Sequence, residues 1–189
     1  MIELKNVSKS FNDKKVLDSF SIAFDSGSYL LRGPSGSGKT TCLLIMLGLL
    51  NPDSGEVIVS DKTRFAVCFQ ENRLFEKESV LTNILAVDDN VSEEAAKEAV
   101  LELLPSETLN KKAGELSGGM KRRLAVIRAM LHDSDCVILD EPFTGLDDDT
   151  RAKTLSFITS RLNGRLLILT SHDERGLDQF KTIEIYSEQ

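Results

Sequence analysis

Hydrophobic and polar positions alternate in the first part of this chain and run together in the later part. Short alternating stretches, such as "SIAFDSGSYLLR" within residues 1–32 and "GEVIVS" at 55–60, are separated by turn-forming residues. A period of two is typical of strands with one buried face, so these stretches predict a small antiparallel β lobe. Later segments are apolar without interruption, which indicates strands buried on both faces and therefore a parallel sheet. These segments are "FAVCF" at 65–69, "CVILD" at 136–140, "LLILT" at 166–170 and "IEIY" at 183–186.

Helical patterns separate these strand segments. The stretch "TTCLLIMLGLL" at 40–50 is apolar on all sides and stops at the turn sequence "NPDSG", which predicts a buried helix. Residues 76–131 are mostly helical in pattern: "SEEAAKEAVLELL" begins with an N-capping serine, Ser92, and "SGGMKRRLAVIRAML" follows at 117–131. We therefore expect a helical lobe inserted between the core strands.

A glycine-rich segment, "GPSGSGKTT" at 33–41, lies between a predicted strand and the predicted buried helix. Glycines let backbone N–H groups curl around phosphate oxygens, and the N-terminus of the following helix favours an anion. In this context Gly33, Gly38, Lys39 and Thr40 predict a phosphate loop, in which Lys39 reaches the β- and γ-phosphates and Thr40 offers a hydroxyl to Mg²⁺. By itself the loop fits kinases, GTPases and motor proteins equally. The other expected nucleotide contacts are Pro34, Ser35, Gly36, Ser37 and Thr41.

Two acidic residues end the predicted strand at 136–140. Asp140 and Glu141 emerge where parallel strands end, which is the edge at which ligands of such folds bind. Asp140 is expected to hold Mg²⁺, and Glu141 to orient and deprotonate the water that attacks the γ-phosphate. Gln70 and His172 each follow another buried strand. The side chains at these strand ends are therefore expected to form one site with the phosphate loop.

Composition restricts the partners. The 189 residues include 23 basic and 30 acidic side chains, a net charge of −7, which disfavours nonspecific binding to nucleic acid or to an anionic membrane. The longest apolar stretch, at 42–50, is shorter than the ~20 residues of a membrane-spanning helix, and the N-terminus lacks a signal-peptide pattern. Cys42, Cys68 and Cys136 lie in apolar runs without metal-ligand spacing, which predicts buried thiols in a reducing cytosol. We expect a small-molecule or protein partner.

In order and spacing, these motifs resemble the ATP-binding cassette (ABC) family over almost the entire chain. The LSGG turn is the element that kinases and GTPases lack. Together, "FQENRLF" and "LSGGM" also look like the cassettes of nitrate, sulfonate and taurine type importers. The matching motifs are "GPSGSGKTT" as Walker A, Gln70 as the Q-loop, "LSGGM" at 116–120 as the signature, "CVILDEP" as Walker B, "GLDD" at 145–148 as the D-loop and His172 as the switch histidine.

The resemblance implies a single ABC ATPase domain with an α/β fold: a P-loop NTPase core with a mostly parallel sheet, an N-terminal antiparallel β lobe and an inserted α-helical lobe. Its activity would be ATP hydrolysis with Mg²⁺. The chain would be cytoplasmic, held at the inner face of the cell membrane by separate transmembrane permease subunits that it drives. The expected bounds are 1–32 and 55–60 for the β lobe, 33–72 and 132–189 for the core, and 73–131 for the helical lobe.

The resemblance also implies a head-to-tail dimer with a second copy or a homologous cassette. Ser117, Gly118 and Gly119 of one protomer, the signature turn, would contact the γ-phosphate that the partner's phosphate loop holds, and Asp147 would also belong to the nucleotide site. The two glycines would permit a close approach of the backbone to the anion, and Ser117 would cap a helix aimed at it. Catalysis would involve Glu141, Gln70 and His172. Mg²⁺ would be held by Thr40, Gln70 and Asp140, and adenine would stack on Phe11 with Val16 beside it.

Three further features of the sequence are less specific. Residues 71–85 follow the Q-loop where such cassettes dock a membrane subunit, and exposed Leu74 and Phe75 would suit that role, with core packing as the alternative. The run Lys121–Arg123 is interpreted as a solvated helix face. Met120 stands where the family more often has Gln, and its thioether cannot donate an amide hydrogen bond.

Other functions were weighed against the transporter. DNA-repair cassettes insert a long coiled coil between the Q-loop and the signature, whereas 45 residues separate Gln70 from Leu116 here. Translation cassettes fuse two copies in one chain. A cassette ATPase of cofactor assembly or another non-transport role stays open, and a P-loop kinase would leave the LSGG turn unexplained.

Overall fold

The computed structural model describes residues 1–12 and 14–186. An antiparallel sheet near the N-terminus has the order β2-β1-β4. Its strands are β1 (Ile2–Phe11), β2 (Lys14–Phe24) and β4 (Ser54–Val59), and β1 pairs antiparallel with both neighbours. Residues 21–24 and 55–59 of the alternating stretches therefore do form antiparallel strands.

The second sheet has five strands in the order β5-β6-β7-β3-β8, and all its pairs are parallel. Every residue of β6 and β7 is buried, which confirms the parallel sheet expected from their continuous apolar sequences. The strand bounds are β3 (Ser28–Arg32), β5 (Phe65–Cys68), β6 (Cys136–Asp140), β7 (Leu166–Thr170) and β8 (Lys181–Glu184).

Strand β3 corrects the expected β lobe of residues 1–32. Residues 28–32 lie inside the parallel sheet, between β7 and β8, and not in the antiparallel one. The turn at 25–27, in which Gly27 has φ of 96°, separates the alternating strand β2 from a strand whose Tyr29, Leu30 and Leu31 are all buried. The phosphate loop thus starts from a central strand of the sheet.

Five α-helices accompany the sheets in the described part of the chain. The side chains of Ser92 and Ser117 accept hydrogen bonds from the backbone N–H groups of Ala95 and Met120, respectively. Both serines therefore act as helix N-caps, as expected. Helix α1 ends earlier than its apolar sequence suggested, because Gly48 adopts φ of 67° directly after the C-cap Leu47. The helices are α1 (Lys39–Met46), α2 (Val80–Leu85), α3 (Glu93–Leu103), α4 (Gly118–Leu131) and α5 (Asp148–Ser160), with short 3₁₀ turns at Ser106–Asn110 and Ala113–Glu115.

Alternate residues of the parallel sheet supply two cores. Val137 and Leu139 of β6 pack into a core shared with helices α2–α5, whereas Cys136 and Ile138 pack on the opposite face with α1 and the antiparallel sheet. The three cysteines are buried free thiols, as expected, and burial raises the pKa of Cys42 and Cys136 to about 12. No helix within residues 1–12 and 14–186 is both long and apolar enough to cross a membrane.

Candidate active site

The carboxyl ends of the parallel strands open onto a cavity of about 240 Å³. Because parallel strands end at one edge, residues far apart in sequence meet there. Twelve residues line it, and all twelve were expected at a nucleotide site: Phe11, Val16, Ser35, Gly36, Gly38, Lys39, Thr40, Thr41, Gln70, Asp140, Glu141 and His172.

Three glycines of the phosphate loop occupy positions that are unfavourable for any residue with a side chain. Gly36 and Gly38 have φ of 76° and 99°, which favours glycine. A Cβ atom at Gly38 would lie 2.5 Å from the carbonyl oxygen of Val16, and one at Gly33 would lie 2.2 Å from that of Ile185. The backbone of the loop is therefore packed directly against its neighbours and can present its N–H groups inward.

Lys39 folds back over this loop. Its Nζ donates hydrogen bonds to the carbonyl oxygens of Gly33 (2.8 Å) and Pro34 (3.1 Å). The Ser37 hydroxyl is fully buried and has no hydrogen-bond partner among the described residues. A buried ammonium group with only carbonyl partners and an unpaired hydroxyl suit an anion that would bind inside the loop.

Asp140 is fixed at the end of β6 by two threonines. The hydroxyl of Thr40 donates to Oδ2 at 2.9 Å, and the hydroxyl of Thr170 donates to Oδ1 at 2.6 Å. Thr170 was not among the site residues predicted from the sequence. The position of Thr170 beside Asp140 follows from the sheet register, in which these two residues pair across β6 and β7.

Glu141, the next residue, is held in an unusual backbone conformation. Its φ is 52°, a left-handed geometry that costs a non-glycine residue about 1–2 kcal/mol. Its backbone N–H donates to the Thr170 hydroxyl at 2.9 Å. The residue is 9% exposed, and Oε1 of its carboxylate lies 3.2 Å from Nε2 of His172 but has no hydrogen bond with any described residue. Glu141 lines the cavity, so its carboxylate can take a proton from a water molecule bound there.

His172 sits on a segment that is anchored behind it. Arg151 donates to the backbone carbonyl of Asp173 at 2.9 Å, and Arg175 donates to the Asp173 carboxylate. The hydrogen bonds from Arg175 hold the pKa of the Asp173 carboxyl well below its usual range. These contacts keep the exposed imidazole beside Glu141.

Phe11 and Val16 also line the cavity. The Phe11 ring is 46% exposed, which excludes a role in the core, and Val16 is buried beside it. A flat apolar ring next to a phosphate loop provides a surface on which a base can stack.

The basic run on α4 departs from the expected solvated face. Arg122 is only 4% exposed, and its guanidinium donates to the backbone carbonyls of Asp140 and Glu141 and to that of Phe69. Arg123 is half-buried and donates to the carbonyls of Gly119 and Leu103. Arg122 was missed because three consecutive basic residues look alike in a local sequence, although only one faces the interior.

The signature turn does not reach this cavity. Ser117 and Gly118 are exposed, and a Cβ atom at Gly118 would meet no atom within 4 Å. Gly119 has a local reason to be glycine, because a Cβ there would lie 3.2 Å from the carbonyl oxygen of Gly145. Asp147 also lies outside the cavity lining, where it caps α5, and hydrogen bonds from Thr150 lower its pKa.

Comparisons with known proteins agree with this geometry. A family model described as ABC transporter matches residues 17–144. Nod factor export ATP-binding protein I of Burkholderia lata is 37% identical over 97% of this chain, which spans about two thirds (67%) of that relative. ABC transporter G family member 20 of Dictyostelium discoideum is 36% identical over 90% of this chain and 26% of its own length. These relatives support the family of the resemblance but not its importer subtype.

Solved structures give the same result for the fold. A dimeric ATP-binding cassette in a post-hydrolysis state, bound to ADP and Pi, superposes with a TM-score of 0.84 at 25% identity, covering 98% of this chain and 94% of that one. A putative ABC transporter ATP-binding protein from Pyrococcus furiosus gives 0.85 at 27% identity and 99% coverage of both chains. The expected α/β fold of a cassette ATPase is therefore confirmed.

Proposed function

This chain belongs to the ABC transporter family and is an ATPase, and from that premise we propose that it is the ATP-hydrolysing subunit of a transporter. It dimerises head to tail around two ATP molecules and drives separate transmembrane subunits. The observation that carries the proposal is the division of the site: residues of the phosphate loop, Asp140 and Glu141 line one cavity, while the signature turn lies outside that lining and Gly118 is uncovered.

Within one chain, each group has a step to perform on bound ATP. Phe11 and Val16 contact adenine, and the N–H groups of the phosphate loop hold the phosphates. Lys39 releases the loop carbonyls that it binds and donates to the β- and γ-phosphates. Glu141 accepts a proton from the attacking water, and Gln70 and His172 position that water and the γ-phosphate.

The oxygen donors beside the phosphate loop fit Mg²⁺. The Thr40 hydroxyl and the Asp140 carboxylate are 2.9 Å apart and Gln70 lines the same cavity, which are hard ligands of the type that this ion prefers. Among the described residues no group of three His, Cys, Asp or Glu side chains could hold a metal. The remaining ligands would therefore be phosphate oxygens and water. Bound Mg²⁺ would neutralise charge on the β- and γ-phosphates.

Two residues after the Q-loop, Leu74 and Phe75, were expected to contact a membrane subunit. Only Phe75 has the exposure that such a contact requires. Leu74 is partly buried and packs against the core, which is the alternative role given for it above. Phe75 is 53% exposed, and the buried side chain of Asn83 fixes its backbone by accepting from its N–H (2.7 Å) and donating to its carbonyl (3.0 Å). A rigidly held exposed aromatic residue is suited to a protein interface. Through such a contact the chain would lie at the inner face of the cell membrane.

Substitution of Phe75 tests the transporter role. Phe75→Ser should leave the ATPase rate of the isolated chain within about twofold of wild type, because the ring lies outside the nucleotide cavity. The same change should lower cosedimentation of the chain with membranes of its own cells by roughly 10-fold, the loss expected when a buried anchor residue is removed. Leu101→Ser is the matched control, since Leu101 is similarly exposed (50%) on another face, on α3. Equal attachment of both variants and wild type would favour a non-transport cassette or another docking surface.

A further inference from the structure

Arg122 joins three segments that converge behind the catalytic edge. Its side chain starts on α4, one turn from the signature turn, and reaches the end of β6 and the start of the Q-loop. Nε donates to the carbonyl of Glu141 at 3.0 Å, and one terminal nitrogen donates to that of Asp140. The other terminal nitrogen donates to the Phe69 carbonyl at 2.5 Å and to Oδ1 of Asn72 at 3.2 Å.

Two of these acceptors, the carbonyls of Asp140 and Glu141, flank the Glu141 Cα atom. Glu141 has φ of 52°, which an L-residue adopts only where its surroundings determine it. Two restraints act on this residue: Thr170 accepts from its N–H, and Arg122 donates to its carbonyl and to the preceding one. The planar fork of the guanidinium can bind both carbonyls at once, whereas a lysine ammonium acts as a single point.

We propose that Arg122 is a positioning residue for hydrolysis, because it holds the backbone of Glu141 in the left-handed conformation that directs the carboxylate at the attacking water. Without the fork, Glu141 relaxes toward ordinary backbone angles and its carboxylate leaves the wall of the cavity. ATP itself remains bound, since Arg122 does not line the cavity and the phosphate loop does not depend on it. The inference rests on the proposed role of Glu141 as the base.

Arg128 provides the matched control on the same helix. It is also partly buried and also donates to carbonyls of the Q-loop region, those of Asn72 (3.1 Å) and Arg73 (2.9 Å). Unlike Arg122, it has no hydrogen bond to Asp140 or Glu141 among the described residues. If an arginine on α4 matters only for packing the helix against the Q-loop, the two substitutions should have the same effect.

The experiment compares Arg122→Lys with Arg128→Lys in the purified chain. For Arg122→Lys we expect kcat to fall by about 10- to 100-fold, within the range of a general base that is present but misplaced. The dissociation constant for a fluorescent ATP analogue should stay within about threefold of wild type, and Arg128→Lys should keep kcat within about threefold. Arg122→Gln, which retains a planar N–H₂ donor, is measured alongside in case the lysine variant does not fold.

A double-mutant cycle with Glu141→Gln separates positioning from a general structural role. If Arg122 acts through the Glu141 carboxylate, adding Arg122→Lys to Glu141→Gln should change the residual rate by less than about twofold, because coupled groups are not additive. A full further loss, an unchanged kcat in Arg122→Lys, or failure of both Arg122 variants to fold would overturn the proposal. Normal hydrolysis by Glu141→Gln would instead refute the base, and the inference with it.

Discussion

The nucleotide cavity and the signature turn differ in where their partners lie. In the cavity, functional groups contact one another: Lys39 binds the loop carbonyls, Asp140 accepts from Thr40, and Glu141 lies beside His172. In the signature turn, Ser117 caps its own helix and is otherwise exposed, and Gly118 faces open space. Both regions are rich in glycine and serine, yet Gly118 of the signature turn lies against none of the described residues that would require a glycine there.

In the head-to-tail dimer that we propose, the cavity would be one half of a nucleotide site and the signature turn would complete the site of a second molecule. A helix N-terminus with free N–H groups and no steric cover favours an anion. In a two-fold dimer each chain would give its phosphate loop to one site and its signature turn to the other. Variants should therefore separate into those that abolish ATP binding or hydrolysis in one chain and those that act only in the pair.

The largest effect is expected from the cavity itself. Lys39→Ala removes the ammonium group that would balance phosphate charge, so hydrolysis should fall to below roughly 1% of wild type. Phosphate release from ATP with Mg²⁺ measures it. The control is Lys15→Ala, since Lys15 is exposed and pairs with Asp18 on the surface at 2.6 Å. Normal turnover in Lys39→Ala would show that the cavity is not the hydrolytic site.

Adding one methyl group at a glycine of the phosphate loop, and one at a glycine of the signature turn, tests the difference between these two regions. Gly38→Ala places a Cβ 2.5 Å from the Val16 carbonyl at φ of 99°, so ATP affinity of the single chain should fall by at least about 10-fold. Gly118→Ala meets no atom within 4 Å, so the same affinity should change by less than about twofold. Titration with a fluorescent ATP analogue measures both. Equal losses would mean that the signature turn supports the chain's own site.

Much of the fold was predictable because strand burial has a direct sequence signal. The bounds of β6 and β7 follow from uninterrupted apolar runs, and the strand ends then place Gln70, Asp140 and His172 at one edge. The same signal misplaced β3, since the residues before it alternate and the turn at 25–27 is short. Burial on two faces is a property of the whole sheet, which a local window cannot separate from a neighbouring strand.

The supporting contacts were not predictable from local patterns, although one had a signal. Arg122 precedes Ala125, Val126 and Ala129 by three, four and seven residues, which places it on the buried face of α4. The basic run around it concealed that periodicity. Thr170 required the pairing of β6 with β7, and helix α5 was not anticipated because its sequence is largely polar. The left-handed backbone at Glu141 has no sequence signal that we recognise.

The central claim is that the signature turn contacts the γ-phosphate of the ATP that a partner chain binds. Glu141→Gln should slow hydrolysis by about 10²- to 10⁴-fold, so that ATP persists and the variant elutes as a dimer in ATP and as a monomer in ADP on size-exclusion chromatography. Adding Ser117→Arg should abolish that dimer while ATP affinity of the single chain stays within about twofold.

The matched control is Ser92→Arg in the same Glu141→Gln background, because Ser92 is also an exposed N-cap but lies at the start of α3. This control should still form the dimer in ATP. We predict that, in the Glu141→Gln background, Ser117→Arg abolishes the dimer and Ser92→Arg does not. A dimer that persists in ATP with Ser117→Arg would place the signature turn outside the interface and contradict the account.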